Sequence, residues 1–269
     1  PKVSPADLAT DLQRRDFTIN AMALSLHPKN KNSLIYPLQG QSDLKQKILR
    51  ILHPLSLWDD PTRIFRGARY ASRYGLLCSK MTLESIQFSL QDLELGKDIS
   101  WQRIGQELER IFQEQDPISA WNILKKWNVL KHWFPSWQEA LPQLIQVQET
   151  EQLNQTEKQE SFWAVLSIFT PEEERKGKEA LVSQKPKLRR QWRELPLLQK
   201  KMQEDAKRVE DYGFFGDIVH KLLPNQLFIL SLLFPQLQSQ FAWWKQEGRF
   251  IKCTIRGQDL LAEGCPQGP

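Results

Sequence analysis

The stretch DDPTRIFRGARYASRYG, residues 59–75, contains the clearest helix boundaries in the sequence. A residue before proline is disfavoured in the α region, so Asp60 is predicted to cap a helix and Pro61 to be its first residue. Gly75 supplies the stop, because glycine readily takes the left-handed conformation that ends a helix. The sequence therefore predicts one continuous helix across this stretch.

Two kinds of side chain recur along this predicted helix at the spacing of its turns. The apolar ones are Ile64, Phe65, Ala68 and Ala71. The cationic ones, here called the Arg stripe, are Arg63, Arg66, Arg69 and Arg73. Since residues three and four apart share a helix face, the guanidinium groups are expected to lie together, opposite the buried face. Taken alone, such a stripe favours a solvated surface over a phosphate-binding one.

Upstream of this helix the sequence predicts one strand and one further helix. Residues 33–36 form a short apolar run that ends in a turn, and they are the one good strand candidate in the first half of the chain. From Asp43 onward the spacing becomes helical in DLKQKILRIL. The apolar residues on one side of that predicted helix are Leu44, Ile48 and either Ile51 or Leu52.

Helical patterns also dominate the sequence downstream. In SWQRIGQELERIF, residues 100–112, Ser100 is expected to cap a helix whose inward residues are Ile104, Leu108, Ile111 and Phe112. The same spacing continues at Trp121, Leu124, Trp127 and Leu130. The longest apolar run, LFILSLLF at residues 227–234, is far shorter than the ~20 residues that a membrane span needs, so a buried helix is predicted.

Composition favours a folded globular protein. Of 269 residues, 40% are hydrophobic and 26% are charged, and the chain contains 10 Trp and 13 Phe. The formal net charge of +5 would favour phosphates or nucleic acid if it were concentrated on one face. The cysteines, Cys78, Cys253 and Cys265, are odd in number and far apart, which fits neither a disulfide framework nor a thiolate metal site. A cytoplasmic location is therefore expected.

A second charged cluster opens RRDFTINAMAL, residues 14–24. Taken alone, Arg14, Arg15 and Asp16 are typical of an exposed ion network, which stabilises a fold by only ~0–1 kcal/mol. The order of motifs is more specific: DLQRRDFTINAMAL, LIYPLQGQSDLKQKILRILH, DDPTRIFRGARYASRYG and SWQRIGQELERIF. In order and spacing the chain resembles the tRNA nucleotidyltransferase and poly(A) polymerase family of the bacterial type (class II). The final IRGQDLLAEGCPQGP resembles the element that opens the tail of those enzymes.

The resemblance implies roles for six residues. In the family, the R-R-D-F-T-x-N-A element holds the ribose and triphosphate of the incoming nucleotide, which implies Arg15 and Asp16 here. The [ED]-D-x-x-R element recognises the base, which implies Asp60 and Arg63, while Arg66 and Arg69 would face phosphate. A carboxylate and a guanidinium one helical turn apart can mimic a base-pairing partner, because one accepts and the other donates hydrogen bonds.

Two departures from the family pattern concern the chemistry. Tyr36 in IYPLQG stands where the family usually has an acid. The chain also contains neither a Gly-Ser dipeptide nor an Asp-x-Asp pair, although nucleotidyl transfer of this kind needs two carboxylates that hold Mg²⁺. The nearest acid pairs, Asp92 with Glu94 and Glu114 with Asp116, are interpreted as surface acids. No catalytic or metal-binding residue is therefore assigned, and the chain alone is expected to be inactive.

The resemblance implies a mainly α fold with a small α/β part at the N-terminus. Residues 1–54 are expected to be the C-terminal remnant of a nucleotidyltransferase head, and residues 55–125 a helical neck that binds the base and RNA. Residues 126–245 are expected to form a helical body, and residues 246–269 the start of a truncated tail. The chain is thus expected to begin inside the head domain.

The function implied is that of part of an enzyme that adds CMP and AMP, or AMP alone, to an RNA 3′ end. The partners are then RNA, with the tRNA acceptor end foremost, together with ATP and CTP, and no membrane; Mg²⁺ belongs to the complete enzyme. Three other hypotheses fit the same sequence: a non-enzymatic RNA-binding protein, one half of a split enzyme whose head is a separate chain, and a non-functional fragment. The basic stretch KPKLRRQWRELPLLQKK, residues 185–201, is the expected phosphate contact.

Overall fold

The computed structural model describes residues 7–35, 38–94 and 98–251. The chain divides into two compact units, Pro1–Pro196 and Leu197–Pro269. Tyr36 and the C-terminal stretch IRGQDLLAEGCPQGP lie outside the described residues, as do Cys253 and Cys265. The predicted division at residues 54, 125 and 245 stays a prediction.

Helices make up most of the described residues, which confirms the mainly α fold. In the first unit they are α1 Leu8–Gln13, α2 Gly40–Lys45, α3 Ser56–Asp59, α4 Thr62–Tyr74, α5 Lys80–Asp92, α6 Trp101–Phe112, α7 Pro117–Lys126, α8 Val129–Trp133, α9 Leu141–Glu149, α10 Gln155–Phe169 and α11 Glu172–Lys178. Helix α12, Pro186–Glu204, contains Pro196, which cannot donate a helix-interior hydrogen bond, and the division between the units falls there. Helices α13 Tyr212–Val219, α14 Pro224–Leu233 and α15 Gln238–Gln246 follow.

The predicted buried helix at residues 227–234 is confirmed by α14. Phe228, Ile229 and Leu230 in that helix are all buried. Among the described residues, no helix combines the length and the apolar character that crossing a membrane requires.

The strands are short and lie in the first unit. They are β1 Ala23–Leu24, β2 Leu34–Ile35, β3 Ile48–Leu49 and β4 Leu77–Cys78. Strands β1 and β2 are antiparallel, with Ala23 opposite Ile35, whereas β3 and β4 are parallel, with Ile48 opposite Leu77. The strand predicted at residues 33–36 is confirmed at β2, but the expectation that it was the one strand candidate in the first half is wrong.

The helix predicted from Asp43 onward is wrong beyond Lys45. Helix α2 ends there, Lys47 has a positive φ of 59°, and the chain continues as β3. The Lys47 carbonyl accepts a hydrogen bond from Leu77 N–H at 2.8 Å, and the Leu49 carbonyl accepts one from Ser79 N–H at 3.0 Å. Pairing with a distant segment therefore outweighs the local helical spacing, as is common for strands.

Helix α4 forms where the sequence predicts it, with the assigned start one residue later. Pro61 already has helical dihedral angles, φ −64° and ψ −16°, whereas Asp60 does not, with φ −143°. The Asp60 carboxylate accepts a hydrogen bond from Thr62 N–H at 3.3 Å, so its side chain still caps the helix. Gly75 ends the helix in the left-handed region at φ 62°.

The core of the first unit surrounds α4. Phe65 stacks on Trp133, with ring centroids 6.2 Å apart, and meets Phe134 edge to face. On another side of α4, Phe17 approaches Gly67 so closely that a Cβ there would lie 2.9 Å from the Phe17 ring. The predicted inward residues of α6 and those after it are all buried: Ile104, Leu108, Ile111, Phe112, Trp121, Leu124, Trp127 and Leu130.

Helix α6 also approaches the backbone of a 3₁₀ turn, Glu179–Val182, at Gly105. A Cβ on Gly105 would lie 2.0 Å from the Leu181 carbonyl oxygen, whereas a Cβ on Gly177 in α11 would have nothing within 4 Å. Gly105→Ala is therefore expected to lower the free energy of unfolding by about 1–3 kcal/mol, because the backbone must shift. Gly177→Ala, the matched control, is expected to raise it by about 0.4–1 kcal/mol.

Urea denaturation of the two variants measures both effects. A Gly105→Ala variant as stable as the parent chain would mean that α6 and the Glu179–Val182 turn are not in close contact.

Candidate functional site

Asp16, from the RRDFTINAMAL motif, is a buried acid that is only 3% exposed. Its Oδ1 accepts hydrogen bonds from the Phe17 backbone N–H at 3.1 Å and from the Asn20 side-chain amide. Its Oδ2 accepts one from Arg66 Nη1 at 2.9 Å. A buried charge of this kind requires a partner, and α4 supplies it. The structure thus brings together Asp16 and Arg66, two of the predicted site residues.

Arg66 lies between two buried acids. Its Nη2 donates to Oε1 of Glu107 at 3.3 Å, and Glu107 also pairs with Arg110. Burial lowers the pKa of Arg66, but the charges of Asp16 and Glu107 outweigh burial and raise that pKa above its ordinary value. Sequence reasoning missed Glu107. Its position three residues after Ile104, on the apolar face of α6, is the sequence feature that could have indicated a buried acid.

The hydrogen bonds to the Asp60 carboxylate converge on one of its two oxygens. Oδ1 accepts hydrogen bonds from the Thr62 hydroxyl at 2.6 Å, from Thr62 N–H at 3.3 Å and from Arg103 Nη2 at 2.8 Å. Oδ2 lies 3.9 Å from Nε of Arg63. The side chain is 21% exposed, so the carboxylate is held in place and still reaches the surface.

Arg63 connects α4 to the first motif. It donates to the Ser56 hydroxyl at 2.7 Å through Nη1 and to the Arg14 carbonyl at 3.2 Å through Nη2. Its Nε is buried and forms no hydrogen bond among the described residues. Asp60 and Arg63 therefore lie one turn apart, beside the start of the RRDFTINAMAL segment.

The two C-terminal members of the Arg stripe, Arg69 and Arg73, pair with Glu114. Arg69 Nη1 lies 3.5 Å from Glu114 Oε1, and Arg73 Nε donates to Glu114 Oε2 at 2.9 Å. The hydrogen bond to Glu114 is the main reason why the pKa of Arg73 is raised. The interpretation of Glu114 as a surface acid is wrong, because its side chain is only 11% exposed. Two nearby guanidinium groups explain why this carboxylate can be covered.

Arg15 lies apart from this network. Its side chain is 47% exposed and pairs with Asp11 of α1 at 3.0 Å, while Nη1 donates to the Asn20 carbonyl at 3.4 Å. The structure therefore places Arg15 near the first motif's backbone and on the surface. Among the six predicted site residues, Arg15 has the most solvent-exposed side chain.

A cleft of about 790 Å³ opens beside the first motif. Its walls include Thr18, Lys45 and Arg50. Thr18 and Arg50 both donate hydrogen bonds to the buried Asp43, at 2.7 Å and 3.0 Å, and the bond to Asp43 raises the pKa of Arg50. No sequence pattern predicts this cleft, because its walls come from separate segments of the chain.

The basic stretch at residues 185–201 carries many ion pairs. Lys187 contacts Glu160 at 2.7 Å, and Arg190 contacts Glu194 at 2.9 Å. The other pairs are Lys185 with Glu109, and Arg189 and Arg193 with Glu179. Hydrogen bonding from Arg193 lowers the pKa of Glu179. These carboxylates compete with phosphate for the same cations, so RNA contact here stays a prediction.

The acid pairs closest to a metal-binding pattern have other partners. Asp92 accepts a hydrogen bond from the Trp58 indole at 2.5 Å, and Asp116 caps α7 by accepting one from Ser119 N–H at 3.0 Å. Within residues 7–35, 38–94 and 98–251, no three side chains of the His, Cys, Asp and Glu types come together as a metal ion would require.

Comparison with known proteins relates this chain to tRNA nucleotidyltransferases. A family described as the Poly A polymerase head domain matches residues 2–50. An A-adding tRNA nucleotidyltransferase of Halalkalibacterium halodurans is 37% identical over 126 residues, which cover 46% of this chain and 30% of the relative. A Multifunctional CCA protein of Hahella chejuensis is 35% identical over 131 residues, which cover 48% and 30%. The matched part is thus less than a third of either relative.

The fold is also similar to that of a solved structure, a complex of a CCA-adding enzyme with ATP. The two chains are 28% identical, with a TM-score of 0.70. The match covers 96% of this chain and 64% of that chain.

Asp16→Asn is expected to lower the free energy of unfolding by about 3 kcal/mol, because it removes a buried counter-ion of Arg66. Asp11→Asn is the control, since it also weakens arginine pairs but at the surface, where the loss is about 0–1 kcal/mol. Urea denaturation at neutral pH compares the two. Equal, small effects would mean that the Asp16–Arg66 contact contributes little to stability.

Proposed function

Because the chain belongs to the bacterial-type (class II) tRNA nucleotidyltransferase family, we propose that it is part of an enzyme that extends RNA 3′ ends. The reaction joins the RNA 3′ hydroxyl to the α-phosphate of a nucleotide and releases pyrophosphate. The nucleotides are CTP and ATP, or ATP alone, and the RNA is tRNA at its acceptor end. The observation that carries the proposal is Asp60 and Arg63, one turn apart beside the matched residues 2–50.

In this proposal Asp60 and Arg63 recognise the base. Oδ1 of Asp60 already accepts three hydrogen bonds, so Oδ2 is the oxygen that would accept from a base amino group. Arg63 would donate to the ring on the neighbouring side, through a guanidinium that is 17% exposed. Because the groups are fixed before the nucleotide arrives, little conformational entropy is lost on binding.

The remaining proposed site residues act on the ribose and phosphates. Asp16 would act on the ribose indirectly, by holding the segment from Phe17 to Asn20 in place, and Arg15, as an exposed cation near the Asn20 carbonyl, would contact the triphosphate. Arg66 and Arg69 would add positive potential from α4. Each of these two keeps free N–H donors after its pairing with acids, because a guanidinium has five of them.

The proposal assigns nucleotide selection to these residues and assigns them no metal. Mg²⁺ would neutralise the triphosphate and activate the attacking hydroxyl in the complete enzyme. The 269 residues contain no Asp-x-Asp pair, so the acids that hold the ion would come from other polypeptide. A separate chain that supplies the head is one source. The proposed location is the cytoplasm, where tRNA and nucleotides are available.

The alternative is an RNA-binding protein of the same family that performs no catalysis. It is compatible with the same 269 residues, which contain no Asp-x-Asp pair. Stable tRNA binding, without turnover when a head is supplied, would separate it from the enzyme.

These 269 residues are expected not to extend tRNA with labelled CTP or ATP at any Mg²⁺ concentration, because they lack the acid pair. Adding a family head segment that carries Gly-Ser and Asp-x-Asp is expected to restore extension. Incorporation by the purified chain alone would contradict the first expectation. No activity with a demonstrably bound head segment would contradict the second.

Asp60→Asn is expected to preserve stability, since asparagine caps helices as well as aspartate does, but to reduce nucleotide selectivity by about tenfold. The amide places a donor where an acceptor is needed. Arg63→Ala is expected to reduce selectivity further. The measurement is incorporation of all four ribonucleotides by the chain with its head segment, alongside the melting temperature.

Asp116→Asn is the matched control, because Asp116 also precedes a proline and caps a helix. It is expected to leave both selectivity and stability unchanged. Unchanged selectivity in the Asp60 and Arg63 variants would limit those residues to helix capping and packing.

A further inference from the structure

Helix α6 presents a charged pair to the proposed site. Arg103 and Glu107 lie four residues apart and so share one face of the helix. Arg103 Nη2 donates to Asp60 Oδ1 at 2.8 Å and lies 3.5 Å from the Thr62 hydroxyl. Glu107 Oε1 accepts from Arg66 Nη2 at 3.3 Å. Each member of the pair therefore holds one residue of the proposed site, and the two contacts have opposite polarity.

Arg103 decides which oxygen of Asp60 is available. With the two Thr62 donors, the Arg103 bond saturates Oδ1 and prevents the carboxylate from rotating about its final bond. Oδ2 is then the oxygen left for a ligand. Without Arg103, only the two Thr62 bonds would oppose that rotation, and the angle between the acceptor and the Arg63 donor would vary more.

Glu107 is buried at a cost that packing alone does not explain. It is 3% exposed, its Oε1 is shared by Arg66 and Arg110, and its Oε2 is buried without a hydrogen-bond partner among the described residues. An unsatisfied buried carboxylate oxygen is unfavourable, and an apolar side chain would avoid that penalty. Glu107 does provide a second anchor for Arg66: it accepts from Nη2, whereas Asp16 accepts from Nη1.

We infer that Arg103 and Glu107 are positioning residues of the nucleotide site, with different tasks. Arg103 fixes the Asp60 carboxylate and so sharpens the choice of base. Glu107 fixes Arg66 and so strengthens the hold on any nucleotide, whatever its base. The inference rests on the proposed function, and it gives the SWQRIGQELERIF motif a role in selection and affinity that packing of its apolar residues does not provide.

The test uses equilibrium binding of ATP, CTP, GTP and UTP to the 269-residue chain, followed by tryptophan fluorescence or calorimetry. Arg103→Gln is expected to reduce the ratio between preferred and disfavoured bases by about tenfold. Glu107→Gln is expected to weaken binding of all four nucleotides by about tenfold and leave the ratio intact. Arg103→Lys, which keeps one charged donor, is expected to restore part of the selectivity.

Glu109→Gln is the control, because Glu109 lies on the same helix and pairs with Lys185 away from the site. It is expected to change neither the ratio nor the affinity. A uniform loss for Arg103→Gln, or no change in either site variant, would overturn the inference.

A second measurement does not depend on nucleotide binding. Arg103→Gln and Asp60→Ala, which removes the carboxylate that Arg103 contacts, are compared singly and together by the urea midpoint in a double-mutant cycle. Non-additive midpoints support the Arg103–Asp60 contact, whereas additive midpoints overturn the inference even if nucleotides bind. A folded parent chain that binds none of the four nucleotides, even with the head segment bound to it, would overturn the proposed function instead.

Discussion

The ion pair between Asp16 and Arg66 is the contact on which the candidate site depends. Asp16 is almost fully buried and would be strongly destabilising without a counter-ion, and α4 supplies one from 50 residues away. Next to it, Phe17 packs against Gly67, where any side chain would separate the two segments. Electrostatics and packing thus fix the same junction, and the positions of Arg63 and Asp60 relative to the first motif follow from it.

The sequence predicted the parts of the fold that local signals determine. Proline and glycine mark the ends of α4, a serine caps α6, and helical spacing identifies the buried residues of both. It did not predict β3, because Ile48 and Leu49 are helical in spacing and become a strand only by pairing with residues 77–78. Within the site, the pattern identified Asp60 and the arginines, while Arg103 and Glu107 are defined by partners 43 and 41 residues away.

Charge in this protein is arranged mainly in pairs. The net charge of +5 suggested an electropositive surface, but most members of the Arg stripe and of the basic stretch contact a carboxylate. Such pairing orients long side chains, which an unpaired cation would not do by itself. A site built in this way gains geometric selectivity and loses some long-range attraction for anions.

The separation of the paired residues along the chain also governs how the site assembles. Asp16 can form its ion pair only after Arg66 has been synthesised. Arg66 gains its second partner only after Glu107, another 41 residues later. Closing loops of this length costs conformational entropy that local helical contacts do not, so α4 and α6 can form before the acids are covered. During synthesis at roughly 5–20 residues per second, the N-terminal acid and the neighbouring Phe17 stay in contact with water for seconds. This site is therefore completed only after α6 has been synthesised.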